Sequence, residues 1–526
     1  MVFIRNRASF VVHCIFFASL ASCPDAPARS FYDRAVSEVS GRYFLPGIAV
    51  GVIENGKVTY RHVGGERIAG SGERVTPNTL FKIASNSKAM TASVLARLVD
   101  AGKLRWDDPV VRHLPAFRMY DPWVTREMQV RDLLIHNSGL REGSGDLMLW
   151  PEPNRFTRSD IIAGLAYLKP RHSFRSHYDY DNLLYIVAGE VASAAGGASY
   201  EALVRREVFD PVGLSRCRVG EWRRDEVGDV AQPHMRQGNR NTVIRADGEL
   251  IPLSTAAAAG GIRCSLNDLM AWAALWLDPD FRLPATGQPY LSRAQRDLIW
   301  SAHMPLPIGR RQREWEGSRF NAYGFGWRIS DVEGVLKVAH TGTLAGMYSA
   351  IVLFPEKQSA FVILINGDGA DARTVLSQVL VRHITARSKA RTVKAFADEV
   401  DSDRRERLQP NALALPAREP ATVDSIARWL GVYRDSWFGE VSLCAASGRV
   451  TFKSAKSPLL SGQVMSAAGR FLVDWTDESV DAEPWLDFAQ PLENGGIALS
   501  LGKIDPSADF SYDFEDLSFT RVRACP

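Results

Sequence analysis

Two pairs of apolar runs, far apart in the chain, constrain its fold most. Ile48-Ala49-Val50-Gly51-Val52-Ile53 reads as a strand, Asn55-Gly56 as a tight turn, and Val58-Thr59-Tyr60 as the returning strand. Far downstream, Tyr348 to Phe354 and Ala360 to Ile365 form two more apolar strands, with Pro355-Glu356-Lys357-Gln358 turning between them. These strands are expected to join in one antiparallel sheet built from both ends of a domain. Helical patterns lie between. Lys88 to Ala101 carries Met90, Val94, Leu95 and Leu98 on one face and stops at Gly102. Asn182 to Ala195 and Asn267 to Leu277 follow, and Ala372 to Ala386 is expected to pack on the sheet. The fold class this predicts is α+β.

A chain of 526 residues exceeds what one core usually holds. From about Lys389 the composition shifts. Charge dominates Asp401 to Arg407, and Pro410, Pro416 and Pro420 follow, which predicts a linker over 391–423. Beyond it, short alternating runs (Glu440 to Leu443, Arg449 to Lys453, Arg470 to Trp475, Ile497 to Leu501) predict a small all-β, barrel-like domain over 424–526. The main domain is expected over 31–390.

The first residues carry a different signal. Arg5 and Arg7 precede an apolar run from Phe10 to Leu20, too short to span a bilayer and of the length of a signal-peptide core. Leu20-Ala21-Ser22-Cys23 resembles a bacterial lipobox, in which Cys23 would be acylated; ordinary cleavage near Ala21 is the alternative. Residues 1–23 are thus expected as an export signal, placing the mature chain in the periplasm or on a lipid anchor at the cell envelope. Export permits disulfides among Cys217, Cys264, Cys444 and Cys525, such as Cys444 with Cys525, and the sequence does not decide the pairing. None of them forms a C-x-x-C pair. A formal charge of +3 gives no nucleic-acid footprint. The basic run Arg310, Arg311, Arg313 is broken by Gln312 and followed by Glu314, as in a solvated loop.

Three short motifs carry chemistry. Ser85-Asn86-Ser87-Lys88 stands where a strand-like stretch meets a helix, so Lys88 shares a face with the Ser85 hydroxyl. A serine needs a neighbour to take its proton, and a lysine does so only when burial or nearby charge lowers its pKa. Tyr180-Asp181-Asn182 follows; residues two apart in an extended loop point the same way, so Tyr180 could move a proton and Asn182 could bridge Lys88 and a substrate amide. His340-Thr341-Gly342 leads into the strand at Tyr348 and offers an edge for an extended substrate, with the Thr343 amide completing an oxyanion hole. Each motif alone has a plain structural explanation: a capped helix, a buried tyrosine, a turn.

Together, in this order, they resemble the three motifs of the penicillin-recognising serine hydrolases, which include class C β-lactamases, D-Ala-D-Ala carboxypeptidases, D-aminopeptidases and certain esterases; class A β-lactamases carry the related S-x-x-K, S-D-N and K-T-G. Flanking stretches such as Tyr323-Gly324-Phe325-Gly326-Trp327 and Ala259-Gly260-Gly261 fit the same group over about Phe31 to Ala390. The resemblance implies a β-lactamase/transpeptidase-like core, an antiparallel sheet flanked by helices plus a helical subdomain. It implies Ser85 as acylated nucleophile and Lys88 and Tyr180 as proton carriers. Asn182, His340, Thr341, Gly342 and Thr343 would then bind substrate. His340 stands where the family's lactamases carry lysine, and a neutral imidazole offers no permanent cation for a substrate carboxylate. His136 and Ser138 are assigned to structure. No metal or cofactor is needed.

Tyr433 to Gly439 and Asp513 to Phe519 resemble the lipocalin-like β domain appended to some of these hydrolases. Such a barrel can hold a ligand, mediate a homo-oligomer or restrict the cleft. There is no G-x-S-x-G, H-E-x-x-H or P-loop. The expected activity is hydrolysis of an amide or ester: a β-lactam, a D-amino-acid peptide or a small ester. A penicillin-binding sensor that acylates and stalls, or an envelope lipoprotein with a vestigial pocket, are the alternatives.

Overall fold

The computed structural model of the chain describes residues 26–411, 417–489 and 496–526. The expected export signal and Cys23 lie outside them.

The runs at both ends of the main domain meet in one sheet. β1 (Gly47–Glu54) and β2 (Lys57–Gly65) form the hairpin, and β1 pairs with β8 (Ser359–Ile365), Val50 opposite Ile363. β3 (Met304–Pro305), β4 (Asn321–Tyr323), β5 (Arg328–Val332), β6 (Val335–Leu344) and β7 (Met347–Phe354) complete an eight-stranded antiparallel sheet in the order β2-β1-β8-β7-β6-β5-β4-β3. β1, β7 and β8 are buried nearly throughout, which is why they read as continuous apolar runs rather than alternating ones.

Helices cover both faces. α1 (Ala26–Arg42), α5 (Ala370–Thr385) and α6 (Val393–Asn411) pack on one side, where Tyr32, Val36, Val39, Val375, Leu376 and Val379 meet Val50, Val352 and Ile363. α4 (Leu266–Leu277) packs on the other; a side chain at Gly51 of β1 would run into Met270 Sδ at 2.4 Å. α2 (Ser87–Asp100) and α3 (Leu183–Gly196) stand side by side in the helical layer beyond. Among the described residues no helix is long and apolar enough to cross a membrane.

The segment expected as a linker over 391–423 departs from that reading. Its first half is α6, because Val393, Phe396, Ala397 and Val400 repeat at helical spacing and bury against α1 and α5. The charged residues Asp401 to Glu406 lie on its more exposed side, where Asp403 pairs with Arg310 and Arg311.

The C-terminal domain is a barrel. β9 (Gly431–Asp435), β10 (Gly439–Ala446), β11 (Arg449–Ser454), β12 (Ser461–Ala467), β13 (Arg470–Trp475), β14 (Pro484–Ala489), β15 (Ala498–Lys503) and β16 (Ser518–Arg523) pair in sequence, and β16 closes on β9. Val441, Leu443, Phe452, Val464, Val473, Leu486, Leu501 and Phe519 are buried. With eight strands, side chains suffice to fill the interior. Cys444 and Cys525 form a disulfide inside this domain, and Cys217 and Cys264 form another in the main domain. The barrel docks on the main domain: Lys456 donates to Asp160 at 2.7 Å, and Phe438 packs on Phe156 with ring centroids 5.5 Å apart.

Candidate active site

Ser85 sits at a sharp corner. The two-residue strand Phe81–Lys82 ends, Ala84 takes a φ of +48°, and the chain passes through the helical turn Ala84–Asn86 straight into α2. A left-handed alanine costs about 1–3 kcal/mol and persists only where neighbours hold it. Here Ser87 Oγ donates to Ala84 O at 2.7 Å. Ser349 Oγ of β7 donates to Ile83 O at 2.7 Å and accepts from Asn86 Nδ2 at 2.7 Å. The corner leaves Ser85 half-buried at the start of α2.

Lys88 lies one turn on, wholly buried. Its Nζ donates to Ser85 Oγ at 3.2 Å, Asn182 Oδ1 at 2.7 Å and Ala259 O at 2.9 Å. Burial pushes its pKa down to about 7; Asp146 and Asp181 pull upward and Arg328 pushes further down. An amine with that pKa is substantially neutral near pH 7 and can accept a proton.

The Tyr180 and Asn182 side chains both reach this amine, while Asp181 turns away to accept the Leu184 N–H that opens α3. The Tyr180 ring centroid is 4.8 Å from Lys88 Nζ. Burial holds its phenol well above the ordinary range, and the Ser85 hydroxyl offsets part of that rise although it makes no well-formed hydrogen bond with Tyr180. The Tyr180 side chain is therefore held as the neutral phenol near pH 7. Asn182 spans Lys88 and the buried Asp146, to which its Nδ2 donates at 2.8 Å. His136 and Ser138 brace this loop: His136 Nδ1 accepts from the Asp181 N–H at 3.0 Å, and Ser138 donates to Asp181 Oδ2 at 3.2 Å.

The third motif runs along β6. Thr341 and Thr343 are exposed on it, and Gly342 between them presses on the Ser85 corner; a Cβ there would lie 2.1 Å from Ile83 O. His340 departs from the expectation that it lines the cleft. Its ring is 2% exposed, with Nδ1 2.7 Å from Thr341 O and Nε2 2.9 Å from the Tyr323 hydroxyl. Those partners place the proton on Nδ1 and make Nε2 the acceptor. Burial, then Arg328 and Lys88, keep the ring neutral. Beside this strand lie the cations Arg373 of α5, whose guanidinium donates to Gly342 O at 2.6 Å and Thr343 Oγ1 at 2.9 Å, and Arg328 of β5, 5.9 Å from the Tyr180 ring.

Several residues here carry no motif. Ala259 O fixes Lys88, Gly326 (φ +74°) lets the turn at 323–327 lie against the Lys88 backbone, and Asp146 anchors Asn182. Gly143 and Gly145, just ahead of Asp146, were the available signal for a tight loop. Among the described residues, no group of His, Cys, Asp and Glu side chains is arranged to hold a metal ion.

Comparison with known proteins agrees with this architecture. Residues 32–383 match the family described as Beta-lactamase. The chain is 26% identical over 356 residues to the Unguisins hydrolase ungD' of Aspergillus campestris, covering 65% of this chain and 62% of that protein. It is 27% identical over 333 residues to Penicillin-binding protein 4 of Amycolatopsis lactamdurans, covering 62% of this chain and 82% of the other. The chain thus spans less than two thirds of the Aspergillus relative. Among solved structures, the octameric penicillin-binding protein homologue from Pyrococcus abyssi superposes with a TM-score of 0.55 at 18% identity, over 94% of this chain and 99% of that one. With more than half its length matched, this chain belongs to the Beta-lactamase family.

Proposed function

We propose that the chain is a serine hydrolase that forms a covalent acyl-enzyme at Ser85 and hydrolyses an amide or ester. The observation that carries this is the 3.2 Å approach of a wholly buried, depressed-pKa Lys88 amine to the Ser85 hydroxyl. Neutral Lys88 takes the Ser85 proton as Oγ attacks the substrate carbonyl. The Ser85 and Thr343 amides hold the oxyanion; one such donor is worth about 2.7–4 kcal/mol. As the tetrahedral species collapses, the Tyr180 phenol donates to the leaving group and recovers its proton from Lys88. Water then attacks the acyl carbon as Lys88 accepts its proton. On collapse the carbon–Oγ bond breaks while Lys88 returns that proton to Ser85 Oγ, releasing the acid and restoring the free serine.

Substrate class follows from charge. With His340 neutral, the position that is lysine in the family's lactamases supplies no cation to seat a carboxylate. Small esters and peptide amides fit it better than β-lactams. The disulfides Cys217–Cys264 and Cys444–Cys525 support an oxidising compartment, in line with an N-terminal export signal cleaved or lipidated at Cys23. A homo-oligomer is proposed by analogy with the octameric Pyrococcus homologue, and the barrel is read as lipocalin-like from its strand number and up-and-down connection.

The test is labelling of Ser85 by a fluorophosphonate, located by peptide mass spectrometry, with turnover of a chromogenic ester by wild type and by Ser85→Ala. Labelling and turnover that vanish in Ser85→Ala support the hydrolase. Stable labelling without turnover of esters, D-peptides or cephalosporins supports a penicillin-binding sensor instead. No labelling at all leaves a vestigial pocket.

A further inference from the structure

The barrel reaches into the centre described above. Between β15 and β16, residues 504–517 leave the barrel and lie on the main-domain loop 141–149. Asp513, itself wholly buried, accepts from the Gly145 N–H at 2.5 Å and the Leu147 N–H at 3.0 Å. Asp516 accepts from Ser144 Oγ at 2.6 Å and pairs with Arg141 at 3.1 Å. Phe510 sits edge-on to the Tyr180 ring, centroids 6.0 Å apart, and so close to Gly143 that a Cβ there would lie 2.6 Å from its ring. Ser511 Oγ donates at 2.8 Å to Asp146 Oδ2, the oxygen that accepts from Asn182.

These contacts form one line: Ser511 to Asp146, Asp146 to Asn182, Asn182 to Lys88, Lys88 to Ser85. We propose that loop 504–517 of the barrel is a working part of the catalytic centre, with Ser511 positioning the Lys88 amine through Asp146 and Asn182 and Phe510 walling the acyl pocket beside Tyr180. The proposal rests on Ser85 and Lys88 being nucleophile and base.

The geometry exceeds what gluing two domains together needs. Lys456 with Asp160 and Phe438 with Phe156 already do that, through residues that make no hydrogen bond to Lys88 or Asn182. Asp146 is wholly buried, its Oδ1 has no hydrogen-bond partner among the described residues, and its Oδ2 takes both donors. Losing one donor shifts both the charge on that carboxyl and the orientation of the Asn182 amide. Lys88 feels the change directly. Lys88 lies among Asp146, Asp181, Arg328, Tyr180, Tyr185, His136 and His340, and Asp146 in turn faces Asp513. Burial and Asp513 push the Asp146 carboxyl up while the Asn182 and Ser511 donors hold it down, so losing Ser511 weakens one of the two raising influences on Lys88.

The experiment uses the full chain with nitrogen-15 lysine and follows the Lys88 Nζ titration by NMR, a readout that needs no substrate, with Lys88→Met assigning the signal. In parallel, Ser85 labelling is timed with a short-chain and a bulky fluorophosphonate. Ser511→Ala is expected to move the Lys88 titration downward and to slow labelling about tenfold. Ser511→Thr, which keeps the hydroxyl, restores both. Phe510→Ala is expected to leave the titration in place and to favour the bulky reagent. An unchanged titration and labelling rate in folded Ser511→Ala, or an unchanged size preference in Phe510→Ala, overturns the proposal. Wild-type protein that never labels, while Ser511→Ala still shifts Lys88, sinks the hydrolase reading and keeps the link from the barrel to the amine.

Discussion

Lys88 Nζ lies 2.7 Å from Asn182 Oδ1 but 3.2 Å from Ser85 Oγ, so the amide holds the amine more tightly than the nucleophile does. The amine is therefore kept in place by something other than the Ser85 hydroxyl. Asn182→Ala should leave the fold intact and slow Ser85 labelling by about 10–100-fold, because a loosely held amine meets the hydroxyl less often. Lys88→Ala should slow it by about 10²–10⁴-fold. Near-normal labelling in Lys88→Ala would remove the lysine from the reaction.

The pH profile follows from the same amine. Its pKa of about 7 means that below neutrality it is protonated and cannot take the Ser85 proton. His136 and His340 are held neutral by burial, and Tyr180 stays a phenol, so none of them substitutes for it. The labelling rate should fall about tenfold for each pH unit below the midpoint. A profile flat from pH 5 to 8, in fluorophosphonate labelling followed by stopped assays, would contradict this.

Burial of Lys88 also costs stability. Its folded pKa is depressed from the ordinary 10.5 to about 7, so between those values the unfolded chain binds more protons and folding stability rises with pH. At pH 7 almost the whole cost remains. Lys88→Met should therefore be more stable than wild type at pH 7, by about 1–4 kcal/mol, and the gain should shrink as pH climbs toward 10. Denaturant titrations at pH 7 and pH 9.5 test the sign; a destabilised Lys88→Met at pH 7 defeats the argument.

Gly342→Ala drives a methyl group into Ile83 O and Ser349 Oγ at once. β6 must then retreat from the Ser85 corner. The expected cost is about 1–3 kcal/mol of stability, with labelling slowed about 100-fold as the Thr343 amide moves away. A thermal melt and the labelling rate together check it; loss of stability with full labelling would separate β6 from the chemistry.

Much of this was readable from local pattern. β1, β7 and β8 were legible because strands buried on both faces are long unbroken apolar runs, and the approach of Lys88 to Ser85 because the motif fixes its own spacing. α6 was misread because its exposed face is so charged that Val393, Phe396, Ala397 and Val400 passed as isolated apolar residues. The burial of His340 was hidden because its partners, Tyr323 and its own neighbour's carbonyl, depend on how β6 lies against β4 and β5. Asp146 and Ser511 lie 365 residues apart, and no local pattern announces a contact at that range.

The Cys444–Cys525 disulfide ties β10 to the segment after β16 and so locks the closing seam of the barrel. Cys444→Ser with Cys525→Ser should cost about 2–4 kcal/mol. In mild denaturant that variant should lose Ser85 labelling as the barrel unfolds, well before the helical signal of the main domain falls. Coincident loss of both signals would mean the two domains unfold as one unit.

The contact between Ser511 and Asp146 also has a meaning in time. A ribosome adding about 5–20 residues per second needs roughly 20–70 s to pass from one to the other. Throughout that interval a nascent chain already carries Ser85 and Lys88 without the Ser511 hydroxyl at the far end of the line that holds them. A chain that stops short of Ser511 should therefore label no faster than Ser511→Ala, however well its main domain folds.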